Sequence, residues 1–159
     1  MRKKALIVKY QEIQEVKNFF KDKRTVLAGG CFDLIHYGHL KFLEKAKEQG
    51  DFLIIALEPD EFIKKHKRKL PVHHQSERAE ILANLNMVDM IVLLPLFETN
   101  NDYFELVKKI SPSIIAVTEG DKQLENKKKQ AREIEIEVKE VVSNLKNFST
   151  RNIAKIFNL

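Results

Sequence analysis

Four short apolar runs divide this chain: TVLAGG (25–30), DFLIIAL (51–57), MIVLL (90–94) and SIIAV (113–117). Each is bounded by glycine, proline or charged residues and is too short for a buried helix, which is how strands covered on both faces read. The stretches between them carry apolar residues at helical spacing. Leu40, Leu43 and Ala46 share one face of a helix that stops at Gly50, and Ala79, Leu82 and Leu85 share one face of a helix capped by Ser76. A further helix is expected from Asp102 to Ile110, ended by Pro112. Ahead of the first run, Ile13, Val16, Phe19 and Phe20 predict an amphipathic helix over 10–22. Residues 59–75 are basic and irregular, with Pro71 inside. After the last run comes a polar segment with lysines. EIEIEV (133–138) then alternates with period two, as an edge strand with one wet face does, and Ser149 stands ready to cap a final helix, TRNIAKIF.

Strands that alternate with helices predict an α/β fold: a single doubly wound, Rossmann-like domain over 1–159 with a five-stranded, mainly parallel sheet. In such sheets ligands bind at the carboxyl ends of strands, where the strand order reverses. The net charge of +5 favours anionic partners, whether phosphorylated metabolites, nucleotides or nucleic acid. No apolar run is long enough to span a bilayer, so no membrane partner is expected. The basic start, MRKKALIVKY, is interrupted too early for a signal peptide, and the single cysteine, Cys31, excludes an internal disulfide. These features predict a cytoplasmic protein.

The carboxyl end of the first run reads GGCFDLIHYGHL (29–40). Spacing of three puts His36 and His39 one turn apart at the start of a helix, so both imidazoles can face one object. A helix start also offers free backbone N–H groups, which suit phosphate. Gly29, Gly30 and Gly38 let a ligand approach where a side chain would block it. Other readings stand beside this one. A zinc site would need a third ligand, and no Cys or carboxylate cluster matches nearby. Asp33 serves equally as a turn cap, and Cys31 as a small buried hydrophobe.

GGCFDLIHYGHLKFLEKAKEQGD (29–51) resembles the HxGH signature segment of the cytidylyltransferase-like nucleotidyltransferases, and the likeness extends loosely from Arg24 to Phe157. The resemblance implies transfer of a nucleoside monophosphate from CTP or ATP to a phosphorylated small molecule, with release of pyrophosphate and with Mg2+ bound alongside the nucleotide. It implies catalytic roles for His36 and His39, and, in the basic stretch KKHKRKLPV (64–72), for Lys67 and Lys69. It sets Gly29, Gly30, Cys31, Phe32 and Gly38 against the nucleotide. Arg78 in SERAEIL is expected to reach phosphates, with a surface ion pair to Glu77 or Glu80 as the alternative. Gly120 and Asp121 in VTEGDKQ match a Gly-Asp motif, although Lys122 replaces its aromatic residue. Ser149, Thr150 and Arg151 in NFSTRNI match a phosphate-binding segment, with Arg151 in place of a threonine.

Within the family, His36 argues against the pantetheine-phosphate branch, which has threonine there. The glycerol-3-phosphate cytidylyltransferase and heptose-phosphate adenylyltransferase branches are nearer, with a lean to a cytidylyl donor. Relatives commonly pair, so a homodimer is expected. The rival from another class is a non-catalytic nucleotide- or nucleic-acid-binding module using the basic 64–69 segment, with nucleic acid the less favoured partner.

Overall fold

A computed structural model describes residues 4–143 of the chain. The apolar runs form parallel strands in which alternate side chains enter opposite faces. In β2 (Thr25–Gly30), Val26 and Ala28 face one layer and Leu27 the other; in β3 (Phe52–Leu57), Leu53, Ile55 and Leu57 oppose Phe52, Ile54 and Ala56. The same alternation runs through β4 (Met90–Leu93) and β5 (Ile114–Thr118). Among the described residues the sheet has six strands, not the five expected, in the order β1-β4-β3-β2-β5-β6, and every pairing is parallel.

The sixth strand is β1 (Leu6–Lys9), an edge strand of four residues, too short to show a period in the sequence. No helix occupies 10–22. Single 3-10 turns at Tyr10–Glu12 and Lys17–Phe19 stand there instead, and from them Ile13 and Phe20 reach full burial. The apolar spacing recorded which residues are buried, not how the backbone is bonded.

Helix α1 (Tyr37–Lys47) and α3 (Gln75–Ala83) cover one face of the sheet through Phe42, Leu43, Ala46, Ala79 and Leu82. Helix α4 (Asn100–Ile110) and α5 (Leu124–Glu133) cover the other through Leu106, Val107, Ile110 and Ala131. Gly50 follows α1 where a Cβ would meet the Arg24 carbonyl oxygen at 2.4 Å, so only glycine fits this return to the sheet. The N-cap of α3 is His74 rather than Ser76: Glu77 turns back and its Oε2 accepts the His74 N–H at 2.8 Å.

Two further segments depart from the sequence pattern. Within the stretch expected to be irregular, Asp60–Lys67 forms α2, started by Pro59 with two acids in its first turn and ended by Arg68 in the left-handed region (φ 52°). The lysine-bearing polar segment is α5, and the last described strand, β6 (Glu137–Val142), starts four residues later than the alternating EIEIEV (133–138) and shares only its last two residues. Glu135 at φ 56° turns the chain between them, so Ile134 and Ile136 pack on the core from a turn. The final helix expected after Ser149 lies outside the described residues.

Candidate active site

The strand order reverses between β2 and β5: β3, β4 and β1 extend the sheet one way and β6 the other. At that reversal the carboxyl ends of β2 and β5 part around a cleft of about 230 Å³, floored by Gly29, Gly30 and Cys31 on one side and by Ala116, Val117 and Thr118 on the other. The two glycines have different reasons to be there. A Cβ on Gly30 would meet the Phe32 ring at 2.9 Å, and Phe32 itself bends at φ 45° to start the turn. A Cβ on Gly29 would have the Ala56 carbonyl oxygen at 3.8 Å as its nearest neighbour. No crowding among the described residues demands glycine at 29; its bareness keeps the cleft floor open.

His36 caps α1. Its Nδ1 accepts the His39 N–H at 3.3 Å, and the two imidazoles stack with centroids 3.7 Å apart. His39 lines the cleft beside Phe32 and Phe42, and its buried Nδ1 has no hydrogen-bond partner among the described residues. Burial, then the nearby His36 and Lys67, push the His39 pKa down to about 4, and burial lowers that of His36 as well. Both rings are therefore neutral near pH 7. With Nδ1 of His36 acting as acceptor, its proton resides on Nε2, free to be donated to an oxygen. Gly38 lies in the first turn of α1, between the two rings in sequence.

The basic segment supplies the facing wall. Lys67, the last residue of α2, lines the cleft. Lys69 instead donates to Oδ2 of Asp33 at 3.3 Å, while Oδ1 of Asp33 accepts the N–H groups of Val72 at 2.8 Å and His73 at 3.2 Å. Asp33 is thus a buried clasp that ties the lysine loop to the turn after β2. Its sequence reading as a turn cap caught the type of bond and missed the partner, which lies 36 to 40 residues away.

Arg78 goes neither to the surface nor to the cleft. It is fully buried, and its guanidinium donates to the carbonyls of Cys31 (2.6 Å), Glu58 (2.8 Å) and His73 (3.0 Å) and to Oδ1 of Asp60 (2.7 Å). One side chain thereby joins the ends of β2 and β3 to α2 and the lysine loop. On the far side of the cleft, Gly120 turns at φ 75° and Asp121 lines the wall, with its Oδ2 accepting Lys127 Nζ at 2.6 Å. Ser149, Thr150 and Arg151 lie outside the described residues.

Comparison with known proteins fits this arrangement. Residues 27–156 match the family described as cytidylyltransferase-like. The chain belongs to the cytidylyltransferase-like family. Similar proteins include an FAD synthase of Thermococcus sibiricus, 42% identical over 97 residues that cover 61% of this chain and 64% of that protein. They also include the bifunctional protein HldE of a Nitratiruptor species, 40% identical over 117 residues that cover 70% of this chain and 24% of that protein. Among solved structures, a lipopolysaccharide core biosynthesis protein from Thermoplasma volcanium superposes with a TM-score of 0.61 at 26% identity, covering 76% of this chain and 95% of that one. The chain therefore spans less than two thirds of the length of those two curated relatives.

In this member of the cytidylyltransferase-like family, three residues about the cleft escaped sequence reasoning. Lys127 lines it from α5, but in sequence it is one lysine of three in a row. The buried Glu58 pairs with the half-buried Tyr103, whose hydroxyl donates to Oε1 of Glu58 at 2.9 Å. The one signal for Glu58 was a carboxylate placed directly after a buried strand. For Mg2+, no three His, Cys, Asp or Glu side chains converge as a metal site among the described residues. No helix among the described residues is long and apolar enough to cross a membrane.

Proposed function

We propose that this chain, acting as one domain over 1–159, transfers AMP from ATP to the phosphate of a small molecule and releases pyrophosphate. An acceptor phosphate oxygen attacks the α-phosphorus; the new P–O bond forms as the bond to the bridging α–β oxygen breaks, and pyrophosphate leaves with its electrons. Such transfers need positioning and charge neutralisation more than covalent chemistry. The single observation that carries the reading is the pair of neutral, stacked imidazoles at the start of α1, of which His39 lines the cleft whose floor Gly29 leaves bare at the point of strand reversal. His36 and His39 donate hydrogen bonds to the phosphates, and Lys67 and Lys127 supply positive charge from either side.

The donor is read as ATP because relatives of this chain are named FAD synthase, and FAD is FMN joined through its phosphate to AMP. The sequence lean toward CTP has no comparable support among them. FMN, a phosphorylated flat aromatic, is accordingly the first acceptor to try.

A thermal-shift panel with ATP, CTP, GTP and UTP tests the first step. A ligand at a hundred times its dissociation constant stabilises the fold by about 2.7 kcal/mol. ATP is expected to raise the Tm of the wild type selectively, and His39→Ala to lose most of that rise. Equal or absent shifts with all four nucleotides, together with salt-sensitive binding of nucleic acid, would favour a non-catalytic basic module instead.

A further inference from the structure

Glu58 is the acid at this site that neither the histidines nor the lysine wall explains. It follows β3 and is 7% exposed. Its main chain is fixed on both sides: the N–H donates to the Gly30 carbonyl at 3.0 Å, and the carbonyl accepts Arg78 Nη1 at 2.8 Å. Oε1 accepts the Tyr103 hydroxyl, while Oε2 is buried with no hydrogen-bond partner among the described residues. Such a carboxyl is expensive to keep charged. Burial pushes its pKa up to about 7, against the opposing pull of Tyr103, Lys127, Arg78 and Lys67.

The groups that face it come from every neighbouring element. Cys31 stands at the end of β2, Lys67 on α2, Arg78 on α3, Tyr103 with Asp102 behind it on α4, and Lys127 on α5. Three of these, Cys31 and the cations Lys67 and Lys127, also line the cleft. The same two cations therefore face this acid and whatever anion enters the cleft. A triphosphate brings several negative charges to the same two lysines that hold the carboxyl in its ionised form. The carboxyl is anchored by its own main chain and shut off from water, so the response left to it is a change of proton.

We propose that Glu58 is a proton-linked positioning residue of the nucleotide site: as a carboxylate it competes for the field of Lys67 and Lys127, and it takes up a proton from solution when a triphosphate enters, leaving both lysines to the phosphates. This rests on the nucleotide-site reading above. No covalent bond changes, since carboxylate plus one proton gives the neutral acid. Nucleotide affinity then weakens as the pH rises past about 7, where the empty site holds Glu58 ionised. His36 and His39 also gain proton affinity from a bound polyanion. Burial displaces both to the acid side of their ordinary range, so their uptake begins at lower pH than that of Glu58.

The test is calorimetric titration of the full chain with α,β-methylene-ATP and magnesium, repeated in buffers of different ionisation enthalpy from about pH 6 to about pH 8.5. Wild type is expected to take up a fraction of a proton near neutrality, with Kd rising by up to about tenfold per pH unit above it. Glu58→Gln should lose that uptake and flatten the profile. Tyr103→Phe removes a hydrogen bond that favours the charged carboxyl, so it should move the uptake to higher pH; this variant decides the matter if Glu58→Gln does not fold. Binding without proton uptake in wild type, or uptake unchanged in Glu58→Gln, overturns the inference alone. Absence of nucleotide binding in wild type overturns the nucleotide-site reading and this inference with it.

Discussion

The two walls of the cleft are built by opposite means. The histidine wall is local: one strand end, one turn and one helix start, all within residues 29–39, with His36 and His39 bonded three residues apart. The lysine wall is assembled from afar. Asp33 reaches 36 to 40 residues to clasp the loop after α2, and Arg78 reaches 47 residues back to the Cys31 carbonyl. A change in the first wall should alter chemistry and spare the fold; a change in the second should disturb both.

Arg78→Met sets the largest expected effect. It leaves three carbonyls short of a donor and Asp60 without its buried cation, so a loss of roughly 3–5 kcal/mol is expected in urea unfolding. A variant as stable as wild type would remove the contrast between the walls. His39→Ala is the opposite case. Loss of one preorganised donor should lower turnover by about 10²–10³-fold. The Tm should move little, because the ring lines an open cleft and its Nδ1 bonds to nothing among the described residues. Loss of stability matching the loss of rate would place His39 with the structural residues instead.

Between the walls, Glu58 should make stability depend on pH. Its carboxyl pKa is raised from 4.5 to about 7 in the folded chain, so the folded state binds more protons in that window. The contribution is fully present below pH 4.5 and is lost as the pH rises through 7, by about 3 kcal/mol in all. His39 acts in the other direction, its lowered pKa costing stability as the pH falls from 6.5 toward 4. The difference between wild type and Glu58→Gln isolates the first effect: wild type should lose ground to the variant as the pH rises from 4.5 to about 7 and no further above it. The smallest effect is expected for Asp33→Asn, which keeps one acceptor oxygen for the loop but loses the charge facing Lys69. About 1–3 kcal/mol, read by urea unfolding, should separate it from wild type.

The same contrast explains what the sequence shows. The four central strands and the histidine junction are legible because their signals are contained in a few consecutive residues: alternating burial, a strand-ending glycine pair, two histidines at helical spacing. β1 is too short to carry a period, and the Ile13–Phe20 pattern reports burial without helical bonding. EIEIEV ends a helix at Glu133, turns at Glu135 and enters the strand only at Glu137, so its alternation is not that of one strand. SERAEIL marks Arg78 but not its distant partners, and no local pattern marks Lys127 or the Glu58–Tyr103 pair. Lys67 and Lys69 are two residues apart and take different partners, since Arg68 between them adopts a left-handed turn.

Transfer itself can be followed directly. Wild-type protein is incubated with magnesium and ATP labelled at the α-phosphorus, with FMN and a set of sugar phosphates offered in turn as acceptors. One acceptor is expected to gain the label while pyrophosphate appears in equal amount, and His39→Ala to do neither at a comparable rate. Binding of ATP with no transfer of label to any phosphorylated acceptor, or equal turnover by wild type and His39→Ala, would contradict the proposed transfer.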